Sequence, residues 1–182
     1  MKARRRLLSC LTYVVLLALS FVPKLKSQQP EAPNWQDWGF LLGEWEGTGS
    51  GHPGQGSGKF TFKPDLQRRV LVRTNYAEYP ATKDRPAFRH DDLMIVYPET
   101  SSEPTKAIYF DSEGHVIRYI VTVNESKKTA TFRSDPQPGA LSYRLTYVGK
   151  GPDTVSIKFE IAPPDKPEQF QTYIEASASR SK

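Results

Sequence analysis

Leu41-Leu42-Gly43-Glu44-Trp45-Glu46-Gly47-Thr48-Gly49-Ser50-Gly51-His52-Pro53 is the stretch that decides the fold. Gly43, Gly47, Gly49 and Gly51 share their parity with Trp45, and an extended chain turns every second residue to the same face. One face of this strand is therefore bare apart from a single indole. Such a face lets a neighbouring element approach closely, or lets the strand bend sharply at a barrel corner. The stretch reads as the first strand of a small β-barrel.

Just upstream, Trp35, Trp38, Phe40, Leu41 and Leu42 recur at roughly helical spacing. They predict one or two helical turns, capped by Asn34 and halted by Gly43, whose aromatics plug one end of the barrel. Downstream the pattern is β throughout. Candidate strands run over 43–51, 57–64, 69–79, 90–97, 105–112, 115–124, 128–134, 140–148, 153–162 and 169–179. The breaks between them carry turn chemistry, as in Lys63-Pro64-Asp65, Glu113-Gly114 and Asp135-Pro136-Gln137-Pro138-Gly139. Leu141, Tyr143, Leu145 and Tyr147 alternate with polar residues, as do Val155, Ile157, Phe159 and Ile161. Ten short strands with mostly hairpin-length connections imply an all-β fold: a closed, antiparallel up-and-down barrel of about ten strands with a short N-terminal helix plugging one end. The polar segment from Pro80 to Arg89 is the longest connection and reads as a loop over one mouth.

The amino terminus has a different character. Lys2, Arg4, Arg5 and Arg6 precede a nearly all-apolar run from Leu7 to Leu19, which reads as a secretory signal peptide over 1–27. That run is shorter than the roughly 20 residues a spanning helix needs. A flexible linker over 28–34 and a barrel domain over 35–180 follow. Six of the 25 Lys and Arg lie at or before position 27, and all 20 Asp and Glu lie after it, so the mature chain carries a net charge of −1. The basic character belongs to the leader, which argues against a nucleic-acid partner. Cys10, the single cysteine, lies in the leader too, so no disulfide framework supports the domain. The expected location is secreted or periplasmic, with no membrane span in the mature chain.

Antiparallel connectivity puts the loops at 52–56, 80–89, 113–114, 135–139 and 163–168 on one rim. All three histidines, His52, His90 and His115, fall there beside Asp91, Asp92, Asp111 and Glu113. A two-residue Glu113-Gly114 turn would pair Ser112 with His115, Phe110 with Ile117 and Ile108 with Tyr119, and turn that set inward. Asp111, Tyr109, Val116 and Arg118 would then share the opposite face, and a turn one residue longer would exchange the two sets. Imidazole and carboxylate at a mouth suit a polar ligand head group, a divalent metal or proton sharing. The spacing is not that of a zinc site, and no GxSxG elbow, P-loop or dinucleotide fingerprint is present. Acid–base chemistry by His115 with Asp92 or Asp111 rests on co-location alone. Arg73, Arg118, Arg144 and Lys158 occupy alternating strand positions. Facing outward they solubilise and protect edges; facing inward, one would bind an anion in a lumen that excludes water.

The opening stretch resembles the nitrobindin-like haem-binding barrels, whose first strand carries a G-x-W-x-G-x-G-x-G-x-P signature after a short helix. Ten antiparallel strands are similar to that fold and to the fatty-acid-binding branch of the calycins. Arg89-His90-Asp91-Asp92-Leu93 and Tyr109-Phe110-Asp111-Ser112-Glu113-Gly114-His115 look more like a family of secreted bacterial proteins with the same barrel. Nitrobindins carry their axial haem histidine on the last strand; here Phe170 to Ala178 has none, and alignment puts Tyr173 at that position. The resemblance supports a small hydrophobic or amphipathic ligand better than it supports haem. The expected ligand-binding residues are His90, Asp92, Asp111, His115, Arg118 and Arg144, with Tyr173 added only if haem is bound. The alternatives are a haem protein with a substituted axial ligand and an envelope module without a ligand.

Overall fold

A computed structural model describes residues 32–99, 105–126 and 128–181. The leader read at 1–27 and the linker as far as residue 31 lie outside the described residues. Ten strands follow in order: β1 (Gly43–Gly51), β2 (Gly56–Asp65), β3 (Val70–Tyr79), β4 (Phe88–Pro98), β5 (Thr105–Asp111), β6 (Val116–Asn124), β7 (Thr129–Ser134), β8 (Ser142–Gly149), β9 (Thr154–Ala162) and β10 (Gln171–Arg180). Each pairs antiparallel with its chain neighbours, and β1 pairs with β10 to close the barrel. Closure leaves no unpaired sheet edge.

The bare face of β1 lies inside. Gly47 is opposite Gly58 on one side and Ala178 on the other, and Gly49 is opposite Gly56 and Ala176. A Cβ added to Gly47 would lie 2.6 Å from the Ser177 carbonyl oxygen, closer than real Cβ atoms approach. Glycine is thus required there by the close passage of β10.

Trp45 interrupts the bare face and begins the packed part of the core, with Phe60, Phe62, Phe132 and Tyr147 around it. Phe62, Phe132 and Tyr147 meet edge to face, an arrangement that suits the ring quadrupoles. The expected turns of α-helix do not form upstream. In their place stands a single 3-10 turn, Gln36–Trp38, in which the Asn34 side chain accepts the Gln36 amide at 3.0 Å. Gly39 follows at once, and the stretch is too short for an α-helix to propagate. Trp35, Trp38 and Leu41 are nonetheless buried. The Trp35 indole donates to the Arg68 carbonyl at 2.8 Å, and the Trp45 indole to the Leu41 carbonyl at 2.9 Å.

The β5–β6 hairpin overturns the expected register. Tyr109 is opposite Ile117, Ala107 opposite Tyr119 and Phe110 opposite Val116, so the connection is the three residues Ser112 to Gly114. Asp111 builds it: one carboxylate oxygen accepts the amides of Glu113 at 3.1 Å and His115 at 2.8 Å, while Gly114 takes a φ of +90°. The extra residue exchanges the faces of β5, while β6 keeps the faces expected of it. Tyr109 and Asp111 turn inward, and Phe110, Val116 and Arg118 turn to solvent.

Candidate functional site

Above the packed aromatics the barrel holds a cavity of about 590 Å³. Three walls of different chemistry enclose it. Strands β10, β1 and β2 supply a nearly side-chain-free wall of Gly47, Gly49, Gly56, Gly58, Ala176 and Ala178. Strands β8 and β9 supply Tyr143, Leu145, Ile157, Phe159 and Ile161. Strands β3 to β6 supply the polar residues. The rim is made by His52, Pro53 and Gly54, with Arg85, Glu113 and His115.

The polar wall is a chain of contacts running from the core to the rim. At its inner end the Arg73 guanidinium pairs with Asp92, and the two side chains are only 8% and 4% exposed. Asn75 donates to the other Asp92 oxygen at 2.7 Å. Phe60 and Tyr147 flank the guanidinium, their ring centres 5.8 and 6.0 Å from its carbon. Next comes His90, whose Nε2 lies 3.3 Å from Asp92 and 3.1 Å from the Tyr109 hydroxyl, and whose Nδ1 lies 2.7 Å from Glu113. Nearest the rim, His115 Nδ1 lies 2.9 Å from Asp111. Cross-strand pairing explains the convergence, because Asn75, Asp92 and Asp111 are direct partners across β3, β4 and β5.

This arrangement shifts the titrating groups in consistent directions. The hydrogen bond to Asp92 raises the His90 pKa above its usual value, and the Asp92 and Glu113 charges add to this against the effect of burial. Burial pushes the Asp111 carboxyl up, but hydrogen bonds from the His115 backbone and ring and the nearby His115 and His90 charges outweigh it, leaving a lowered value. Burial pushes the Tyr109 phenol up strongly, helped by the Asp92 charge. His90, Asp111 and Glu113 each offer a ligating atom within 4.8 Å of the others, a spacing able to hold a divalent cation.

Four of the residues expected from sequence, His90, Asp92, Asp111 and His115, are gathered here. Arg118 and Arg144 are not. Arg118 lies on the solvent side of β6, and Arg144 lies on the solvent side of β8, where it donates to Glu160 at 2.7 Å and covers the Phe170 ring. Their parity opposes that of Tyr119 and Tyr143, which face inward. Tyr173 does line the cavity. A bulge between Thr172 and Ile174 leaves it without a partner on β9, its carbonyl accepts the His52 amide at 2.9 Å, and its ring stacks on His52 with centres 5.0 Å apart. Asn75 and Tyr109 belong to the site without having been expected there, whereas Glu113 was placed on this rim by the strand count and Arg73 was one of four cations left open to face inward. The signal for Arg73 and Asn75 was their shared parity with Leu71 in β3; Tyr109 was lost with the hairpin register.

No protein-family model matches this sequence, and no curated protein matches it. Among solved structures, Rv2717c from M. tuberculosis aligns with a TM-score of 0.57 at 15% identity, over 83% of this chain and 99% of that one. The likeness is one of fold. The S-type phycobiliprotein lyase CPES from Guillardia theta aligns at a TM-score of 0.49 and 8% identity, over 79% of this chain and 89% of that one. A de novo designed fluorescence-activating β-barrel aligns at 0.40 and 11%, over 78% and 94%. No helix among the described residues is long and apolar enough to cross a membrane.

Proposed function

We propose that this protein is a secreted or periplasmic carrier that holds a small, largely apolar molecule inside its barrel, with the molecule's polar end at the Arg73, Asp92 and His90 wall. The observation that carries the reading is the cavity itself. At about 590 Å³ it lies within the size range of small-molecule sites, roughly 300 to 1,000 Å³. Its lining is mostly apolar, with a few convergent polar groups, the usual division between affinity and orientation. The wall of glycine and alanine leaves room that side chains would otherwise fill. A purely structural module has no use for such a space, so the cavity weighs against an envelope role without a ligand. The turn at Gln36–Trp38 then serves to close the far end, and the leader read at 1–27 supports export.

Native mass spectrometry of protein recovered from its own compartment tests this. The expected result is a bound mass released by organic solvent. Protein free of any adduct that also fails to bind a neutral apolar dye overturns the reading.

A second reading is ferric haem in the same cavity, with nitrobindin-like chemistry. One observation favours it: Tyr173, which the resemblance aligns with the nitrobindin axial ligand, lines the cavity next to the bulge in β10. A tyrosinate ligates ferric haem, and the open wall of β1 and β2 suits a flat macrocycle. Titration with ferric haem should then give a Soret shift that Tyr173→Phe abolishes. No spectral change removes the haem reading and leaves the carrier reading standing.

A further inference from the structure

An inward arginine deep in a barrel lumen invites the expectation of an anionic ligand, but the charges along this wall are already matched. Arg73 contacts Asp92, His90 contacts Glu113 at 2.7 Å, and His115 contacts Asp111 at 2.9 Å. The remaining cation of the lining, Arg85, sits on the loop between β3 and β4, where it donates to the Pro53 carbonyl and stacks on Phe88 at 4.3 Å. At the inner end, Arg73 Nε has no hydrogen-bond partner but is wholly buried, so a ligand carboxylate would have to take the guanidinium contact that Asp92 holds. That would leave a carboxylate with a 4% exposed side chain without its cation. Removing one partner from a buried ion pair is far costlier than never having built it. On its way in, the same carboxylate would also pass Asp111 and Glu113.

Resting on the carrier reading above, we infer that the cavity selects an uncharged ligand whose polar end is a hydroxyl or carbonyl, and that Asp92 is the residue that excludes carboxylates. The wall's neutral groups have hydrogen-bonding capacity to receive such an end. Asn75 uses its amide nitrogen on Asp92, which leaves its carbonyl oxygen as an acceptor. The Tyr109 hydroxyl, shared with His90 at 3.1 Å, can both donate and accept. Both residues line the cavity beside the Arg73–Asp92 pair. A neutral polar end costs little to desolvate, whereas an ionised one costs several kcal/mol or more unless a free counter-charge awaits it. The arginine at this depth, Arg73, is already paired with Asp92.

The test is displacement of a neutral apolar dye, Nile red, from the purified protein by two molecules that differ only at the head: dodecanol and dodecanoate. The work is done at about pH 8, where a carboxylic acid is ionised. The alcohol should displace the dye at a concentration at least about tenfold lower than the carboxylate. Asp92→Asn frees Arg73 and should improve the carboxylate relative to the alcohol by about tenfold. Equal or better displacement by dodecanoate in the unaltered protein overturns the inference, and that comparison holds even if Asp92→Asn fails to fold. In that event the carrier reading survives, since a ligand has bound. Failure of the dye and both competitors to bind removes both readings.

Discussion

The two ends of the barrel use the same strands in opposite ways. At the end that receives Trp35, Trp38 and Leu41, inward positions are large and apolar, rings meet edge to face, and the indoles of Trp35 and Trp45 find carbonyl partners. At the other end, β1, β2 and β10 present glycine and alanine, while β3 to β6 present titratable groups in contact pairs. With a single cysteine in the sequence no internal disulfide can form, and packing is concentrated at the first end because the second gives it up to keep a cavity open. The contrast shows how a single strand such as β1 divides its labour, with Trp45 on one side and Gly47, Gly49 and Gly51 on the other.

Substitutions at the two ends should separate along this line. Trp38→Ala at the packed end is expected to lose about 3 to 5 kcal/mol, the range for large-to-small changes in a core, as read from urea unfolding. If it costs less than Gly47→Ala on the bare wall of the open end, the division of labour is wrong. Arg73→Met should cost a similar amount, about 3 to 5 kcal/mol, because Asp92 stays buried without its cation. The double change Arg73→Met with Asp92→Leu should recover most of the loss, and a double variant as unstable as the single would place the cost in packing instead. Gly47→Ala pushes a Cβ against the Ser177 carbonyl and should destabilise by about 1 to 3 kcal/mol. A neutral outcome in thermal unfolding would mean that β10 can retreat, and that the bare wall is not held by close strand passage.

The smallest expected effect is in pH dependence. Asp92 and Glu113 raise the folded-state pKa of His90 above 6.5, so the stabilisation is complete below that value and is lost as pH rises through the folded-state pKa. The melting temperature should therefore fall over that interval, and His90→Gln should flatten it. An identical slope in the variant would assign the proton to another group.

The fold was largely legible because period-two alternation and turn chemistry are local signals. Val155, Ile157, Phe159 and Ile161 announce the inner face of β9 with no reference to the rest of the chain. The rim location of His90 and His115 followed from counting antiparallel passes, and the structure gathers both with Asp92 and Asp111. The errors have two causes. A connection of two or three residues after Asp111 differs by a single position, yet that position exchanges Tyr109 and Asp111 with Phe110. Arg118 and Arg144 failed differently: they were taken inward for their charge, against the parity of Tyr119 and of Tyr143 and Tyr147 beside them.

The sequence by itself determined the number of strands, their order and the bare face of β1, because alternation and turn residues act over a few positions. Only the tertiary structure decided which charges meet. Arg73 and Asp92 lie on neighbouring strands, and their pairing depends on the β3–β4 register and on a lumen closed by β10. Whether a buried arginine is free to take a ligand or is already neutralised is a question of distances between strands, and no local pattern encodes those distances.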